Sequence, residues 1–87
     1  MSEGNLHDHV EEFRTKIKDM DLPAEIRERM AELITQLERK LESPDDQEHH
    51  ESLVAQLKDS FERFKLEHPR ATSLLNSILV SLGEAGI

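Results

Sequence analysis

Three prolines, Pro23, Pro44 and Pro69, constrain this chain more than any other feature. Proline lacks a backbone N–H and clashes with the preceding helical turn, so it suits a helix start and damages a helix interior. Each of the three stands just ahead of a segment whose apolar residues recur at helical spacing. They cut the 87 residues into four pieces of comparable length, and each piece can be tested for a buried stripe.

The first piece places Leu6, Val10, Phe13, Ile17 and Met20 at intervals of 4, 3, 4 and 3, which puts all five on one helix face. Asn5 is the expected N-cap, with Asp8 at the positive end, and Glu12 stands four residues before Lys16 in the favourable order. A helix over about 5–20 is predicted, with 1–4 disordered. In the second piece Ile26, Met30, Leu33, Ile34, Leu37 and Leu41 give a broader face over about 23–42. Asp21 or Leu22 caps it, Pro23 opens it, and Glu25 with Arg29 forms an outward pair. The third piece begins Ser43-Pro44-Asp45-Asp46. Either Ser43 caps it directly, leaving a very tight turn, or a short acidic loop ends near Gln47. Leu53, Val54, Leu57, Phe61 and Phe64 form its apolar face, Asp59 and Arg63 pair outside, and the helix runs over about 46–67. His68 ends it, because a residue before proline avoids helical dihedrals.

The fourth piece, a helix over about 70–82, differs in kind. Of the 30 charged residues (11 Lys and Arg plus 19 Asp and Glu), only Arg70 and Glu84 lie from Pro69 onward. Ala71, Leu74, Leu75, Ile78, Leu79, Val80 and Leu82 cover more than one face, and most other positions are small hydroxyls. A helix with so little charge on any side is normally covered on most sides. Gly83 is a natural stop, able to take the left-handed conformation that closes a helix.

No stretch alternates as a strand does, so the fold class is all-α: an antiparallel bundle of four helices in a single domain over 1–87. Either one chain closes that bundle, or two helical hairpins are completed by a second copy. Phe13, Ile17, Leu33, Leu37, Leu57, Phe61, Leu75 and Leu79 sit centrally on their stripes and are the expected core.

Composition narrows the function. The formal charge of −8 repels phosphate, so neither nucleic acid nor an anionic membrane is an expected partner. Cysteine is absent, which excludes disulfides, thiolate zinc sites and a cysteine nucleophile. Three glycines leave nothing from which to build a phosphate-cradling loop. The first five residues carry no base and no apolar run, so no signal peptide is expected. The longest uncharged stretch, Ala71 to Gly83, is too short and polar to span a bilayer. A cytoplasmic location is the expectation.

Five histidines in an acidic chain raise the question of a metal. Helical ligands share an ion at spacings of three or four, whereas His7 and His9 point about 200° apart and His49 and His50 about 100° apart. Asp46 with His50 is the nearest local pair. Solvated helix ends are the simpler reading, and no metal site is expected. Di-metal bundles need Glu-x-x-His motifs facing inward, and Asp46-x-x-His49 at a helix start does not supply one. Ser73, Ser77 and Ser81 form a ladder with no base on the same helix, so they fit close helix approach rather than nucleophilic catalysis. No catalytic residue and no cofactor are expected.

Ser60-Phe61-Glu62-Arg63-Phe64, Glu67-His68-Pro69-Arg70-Ala71 and Ser81-Leu82-Gly83-Glu84-Ala85-Gly86-Ile87 resemble a small bacterial family catalogued as domain of unknown function 4404. The likeness covers nearly the whole chain and is strongest from Phe61 onward; the Leu-rich heptads of the family give way here to Phe13 and Ile17. The resemblance implies a bacterial cytoplasmic setting and brings no activity with it.

Three functional readings follow. The favoured one is a non-enzymatic helical protein–protein interaction module that self-associates, with Ser73, Leu74, Ser77, Val80 and Ser81 as its interface. The alternative is an acidic inhibitor or antitoxin-like regulator that masks a basic protein, which requires its acids to lie on one face. An enzyme or metal carrier has the least support. For the fourth helix, the competing expectation is a central position covered by the other three.

Overall fold

The computed structural model describes residues 2–83. Four helices account for most of them: α1 (Ser2–Asp19), α2 (Ala24–Glu42), α3 (Gln47–Phe64) and α4 (Pro69–Ser81). The connections 20–23, 43–46 and 65–68 are each four residues long, which forces neighbours in sequence to run antiparallel. Each helix packs against two others in the cyclic order α1, α2, α3, α4, and α4 closes the ring against α1. No strand occurs among the described residues.

The apolar stripes meet on the bundle axis. Phe13, Ile17, Leu33, Leu37, Leu57, Leu75 and Leu79 are buried there as expected, joined by Met30, Leu53 and Ile78. One chain closes this core. Its accessible surface is 5552 Å², close to the roughly 5300 Å² of a compact monomer of this mass.

Phe61 departs from expectation, being only half-buried at the seam between α3 and α4. Phe64, one turn later on the same stripe, takes the core position instead. Ser60, which no stripe included, is completely buried and accepts a hydrogen bond from Arg29 Nε of α2 at 3.0 Å. Arg29 therefore turns to Ser60 and to Glu32 (3.0 Å) rather than to Glu25. Glu25 lies 3.8 Å from Arg63 of α3, so two expected pairs within single helices become a contact between helices.

The helix ends correct several boundaries. α1 starts at Ser2, so Asn5 lies within the helix and not at its cap; Gly4, which costs about 1 kcal/mol in a helix interior, does not stop it. Met1 and residues 84–87 lie outside the described residues. Pro23 is itself the N-cap of α2, in extended conformation (φ −56°, ψ 153°), where its missing N–H costs nothing. Pro44 sits in the connection, not in a first turn. Ser43 caps the end of α2, its N–H donating to the Arg39 carbonyl at 3.0 Å, while Lys40 Nζ donates to the Pro44 carbonyl at 2.8 Å. Asp46 is the true N-cap of α3 and accepts from the His49 N–H at 3.1 Å, so the short acidic loop is the form adopted. α3 ends at Phe64, three residues before the expected 67. His68 must leave the helical region ahead of Pro69 (φ −134°, ψ 63°), and Leu66 in the connecting turn, 89% exposed, has no core to hold it. Gly83 has φ +85°, as a helix-closing glycine should.

Candidate functional site

α4 occupies a corner of the ring, packed against α1 and α3 and not against α2. The covered central position is therefore not the one adopted, and an outer face remains. Ala71, Thr72, Leu75, Ile78 and Leu79 point inward. Ser73, Asn76 and Val80 are exposed, Leu74, Ser77, Ser81 and Leu82 are half-buried, and Val80 keeps 57% of its surface in water. The expected interface residues Ser73, Leu74, Ser77, Val80 and Ser81 thus share one continuous outer strip. The only charged side chain on α4 is Arg70, in its first turn.

Most hydroxyls on α4 are engaged within the chain. Thr72 Oγ1 donates towards the His68 and Pro69 carbonyls (3.2 and 3.1 Å), and Ser77 Oγ donates to the Ser73 carbonyl at 3.3 Å. Such back-bonding satisfies a hydroxyl without a partner molecule. Ser81 Oγ forms a hydrogen bond with His9 Nδ1 across the α1–α4 seam. His9 is thereby a tie between helices, not a solvated end.

Shallow grooves flank the strip. One of about 340 Å³ lies between α1 and α4, lined by Lys16, Met20, Pro69, Arg70, Ser73 and Leu74. A second of about 340 Å³ lies between α3 and α4, where Phe61 and Lys65 face Thr72 and Asn76. Around Pro69 a wider cleft of about 560 Å³ brings Lys16 and Arg70 together with Asp19, Asp21 and Glu67, a mixture that selects neither anions nor cations.

Acidic residues lie on the other three helices and in the connections between helices. Lys16 Nζ is 2.9 Å from Glu12, and this ammonium holds the Glu12 carboxyl below the ordinary carboxylate range. Arg14 bridges Glu11 (3.0 Å) and also Glu38 of α2, and Lys65 lies 2.9 Å from Glu62.

Histidine placement revises the sequence reading in one further respect. His49 is buried, and its Nε2 lies 2.9 Å from the Gln36 carbonyl; since a carbonyl only accepts, the ring donates and ties α3 to α2. No group of three or more His, Asp or Glu arranged to hold a metal ion occurs among the described residues. No helix among them is long and apolar enough to cross a membrane. Ser60, His9 and His49 were illegible as contacts because their partners lie 13 to 72 residues away in sequence.

Fold and surface together define a small acidic four-helix domain with one nearly uncharged side. The chain belongs to the family described as Domain of unknown function (DUF4404), which matches residues 6–87. No curated protein and no solved structure matches it.

Proposed function

We propose that this protein is a non-enzymatic helical interaction module that self-associates through the outer face of α4. The observation that carries this reading is Val80, 57% exposed on the same charge-free strip as half-buried Leu74. Elsewhere the outer surface is studded with carboxylates and their basic partners, which keep identical acidic molecules apart. On α4 that repulsion is weakest and apolar surface meets water. The acids are spread over the outer sides of α1, α2 and α3, which supports interaction through α4 over masking of a basic protein by one acidic face.

The test is light scattering after size exclusion, with Leu74→Glu and Val80→Glu beside the parent. The parent's mass is expected to rise with concentration, and the double variant's to stay at that of one chain with its helical circular dichroism retained. Equal self-association by parent and variant would show that α4 is not the interface.

A further inference from the structure

The one charge on α4 opposes its own dipole. α1 ends on Lys16 and Lys18, α2 begins with Glu25 and ends with Arg39 and Lys40, and α3 begins with Glu48 and ends with Arg63. All of these suit the partial charges of a helix, positive at its start and negative at its end. α4 has no acid in its first turn and no base in its last, and Arg70 stands beside its positive end.

A second regularity lies in the order of its residues. Counting outward from Ser77, Leu74 and Val80 stand three positions away on either side, and Ser73 and Ser81 stand four away. Leu75 and Leu79, two away, are both in the core. At these four outer positions the strip turned end over end about Ser77 presents the same order of residue types, apolar three away and hydroxyl four away, while one away the exposed Asn76 is matched by the buried Ile78. An interface between identical chains related by a two-fold axis requires such self-complementarity.

We infer that α4 pairs antiparallel with α4 of a second copy, about a two-fold axis at Ser77, so that Leu74 of one chain packs against Val80 of the other. This rests on the self-association reading above and adds the partner's orientation. The antiparallel arrangement sets Arg70 beside the negative end of the partner's α4, where no base stands. A parallel pair would instead bring Arg70 of both chains together at one end. At the axis, Ser77 is small and its hydroxyl already donates to Ser73, so a second backbone can approach without stranding a donor.

The area available to the pair is small. The strip is about 20 Å long and 10–12 Å wide, which falls well short of the roughly 800 Å² that each partner gives a standard interface. A patch of that size fits a weak, reversible pair and not a permanent dimer.

Disulfide trapping reads the geometry, because the chain contains no cysteine. A disulfide needs Cα atoms about 4.4–6.8 Å apart. Ser77→Cys at high micromolar concentration with oxidised glutathione is expected to give a covalent dimer at least tenfold faster than Leu66→Cys, an exposed collision control. Leu74→Cys alone and Val80→Cys alone are expected to match that control, since like residues stand six positions apart along the reversed helix, roughly 9 Å. Mixing those two variants is expected to restore fast cross-linking between them. Fast cross-linking of all three variants, each alone, would mean parallel pairing and overturn the proposal. No cross-linking by any variant or mixture, while the reduced proteins still dimerise by light scattering, would overturn the orientation and leave self-association standing. A reduced parent that is monomeric throughout would remove both.

Discussion

Replacing Leu37 with alanine removes a side chain that is completely buried at the centre of α2. Three carbon atoms leave the core at about 0.8 kcal/mol each, and the bundle relaxes only in part around the resulting cavity, so the total loss is about 3–4 kcal/mol. For 87 residues the unfolding entropy makes 1 kcal/mol equivalent to roughly 5–6 °C, so the midpoint should fall by about 15–20 °C. Phe61→Ala is the informative comparison. The ring is larger, yet it lies half-exposed against Lys65 at the α3–α4 seam, and its loss should cost only about 1–2 kcal/mol, or 5–10 °C. Thermal melts followed by circular dichroism at one low concentration read both changes without a contribution from dimerisation. A Phe61→Ala protein less stable than Leu37→Ala, or a Leu37→Ala melt within about 3 °C of the parent, would refute this placement of the core.

Two further outcomes are expected. Asp46→Ala removes the hydrogen bond to the His49 N–H and should destabilise the chain by about 1 kcal/mol, whereas Asp46→Asn should retain most of it; equal melts for the two variants would dismiss the cap. Lys16→Met should raise the Glu12 carboxyl towards its ordinary range, read by NMR titration. Because the folded-state value is the lower one, the pair's contribution is present above the unfolded-state value and disappears as pH falls through the folded one. A Glu12 titration unchanged by Lys16→Met would assign the shift to another cause.

The number, order and directions of the helices were legible because proline and apolar spacing act locally. The Glu12–Lys16 pair was legible for the same reason, lying within a single helix. What escaped depends on how helices meet. Phe61 and Phe64 fall on the same stripe three residues apart, and the stripe alone does not say which of them is the more buried. Ser60 reads as a polar interruption until Arg29 is brought to it from 31 residues away. His9 and His49 look like solvated ends in the sequence, and Ser81 and the Gln36 carbonyl make them ties between helices. The unusual character of α4 was visible as a lack of charge. Its corner place, which leaves Ser73 and Val80 exposed, is the favoured expectation for this helix, and the covered central position that competed with it is not adopted.

Sedimentation equilibrium across a concentration series tests the central claim most directly. Self-association through α4 predicts a mass near the single-chain 10.1 kDa at low micromolar concentration that climbs towards twice that value by high micromolar. A mass of 10.1 kDa throughout, in a protein whose helical signal is intact, would contradict it.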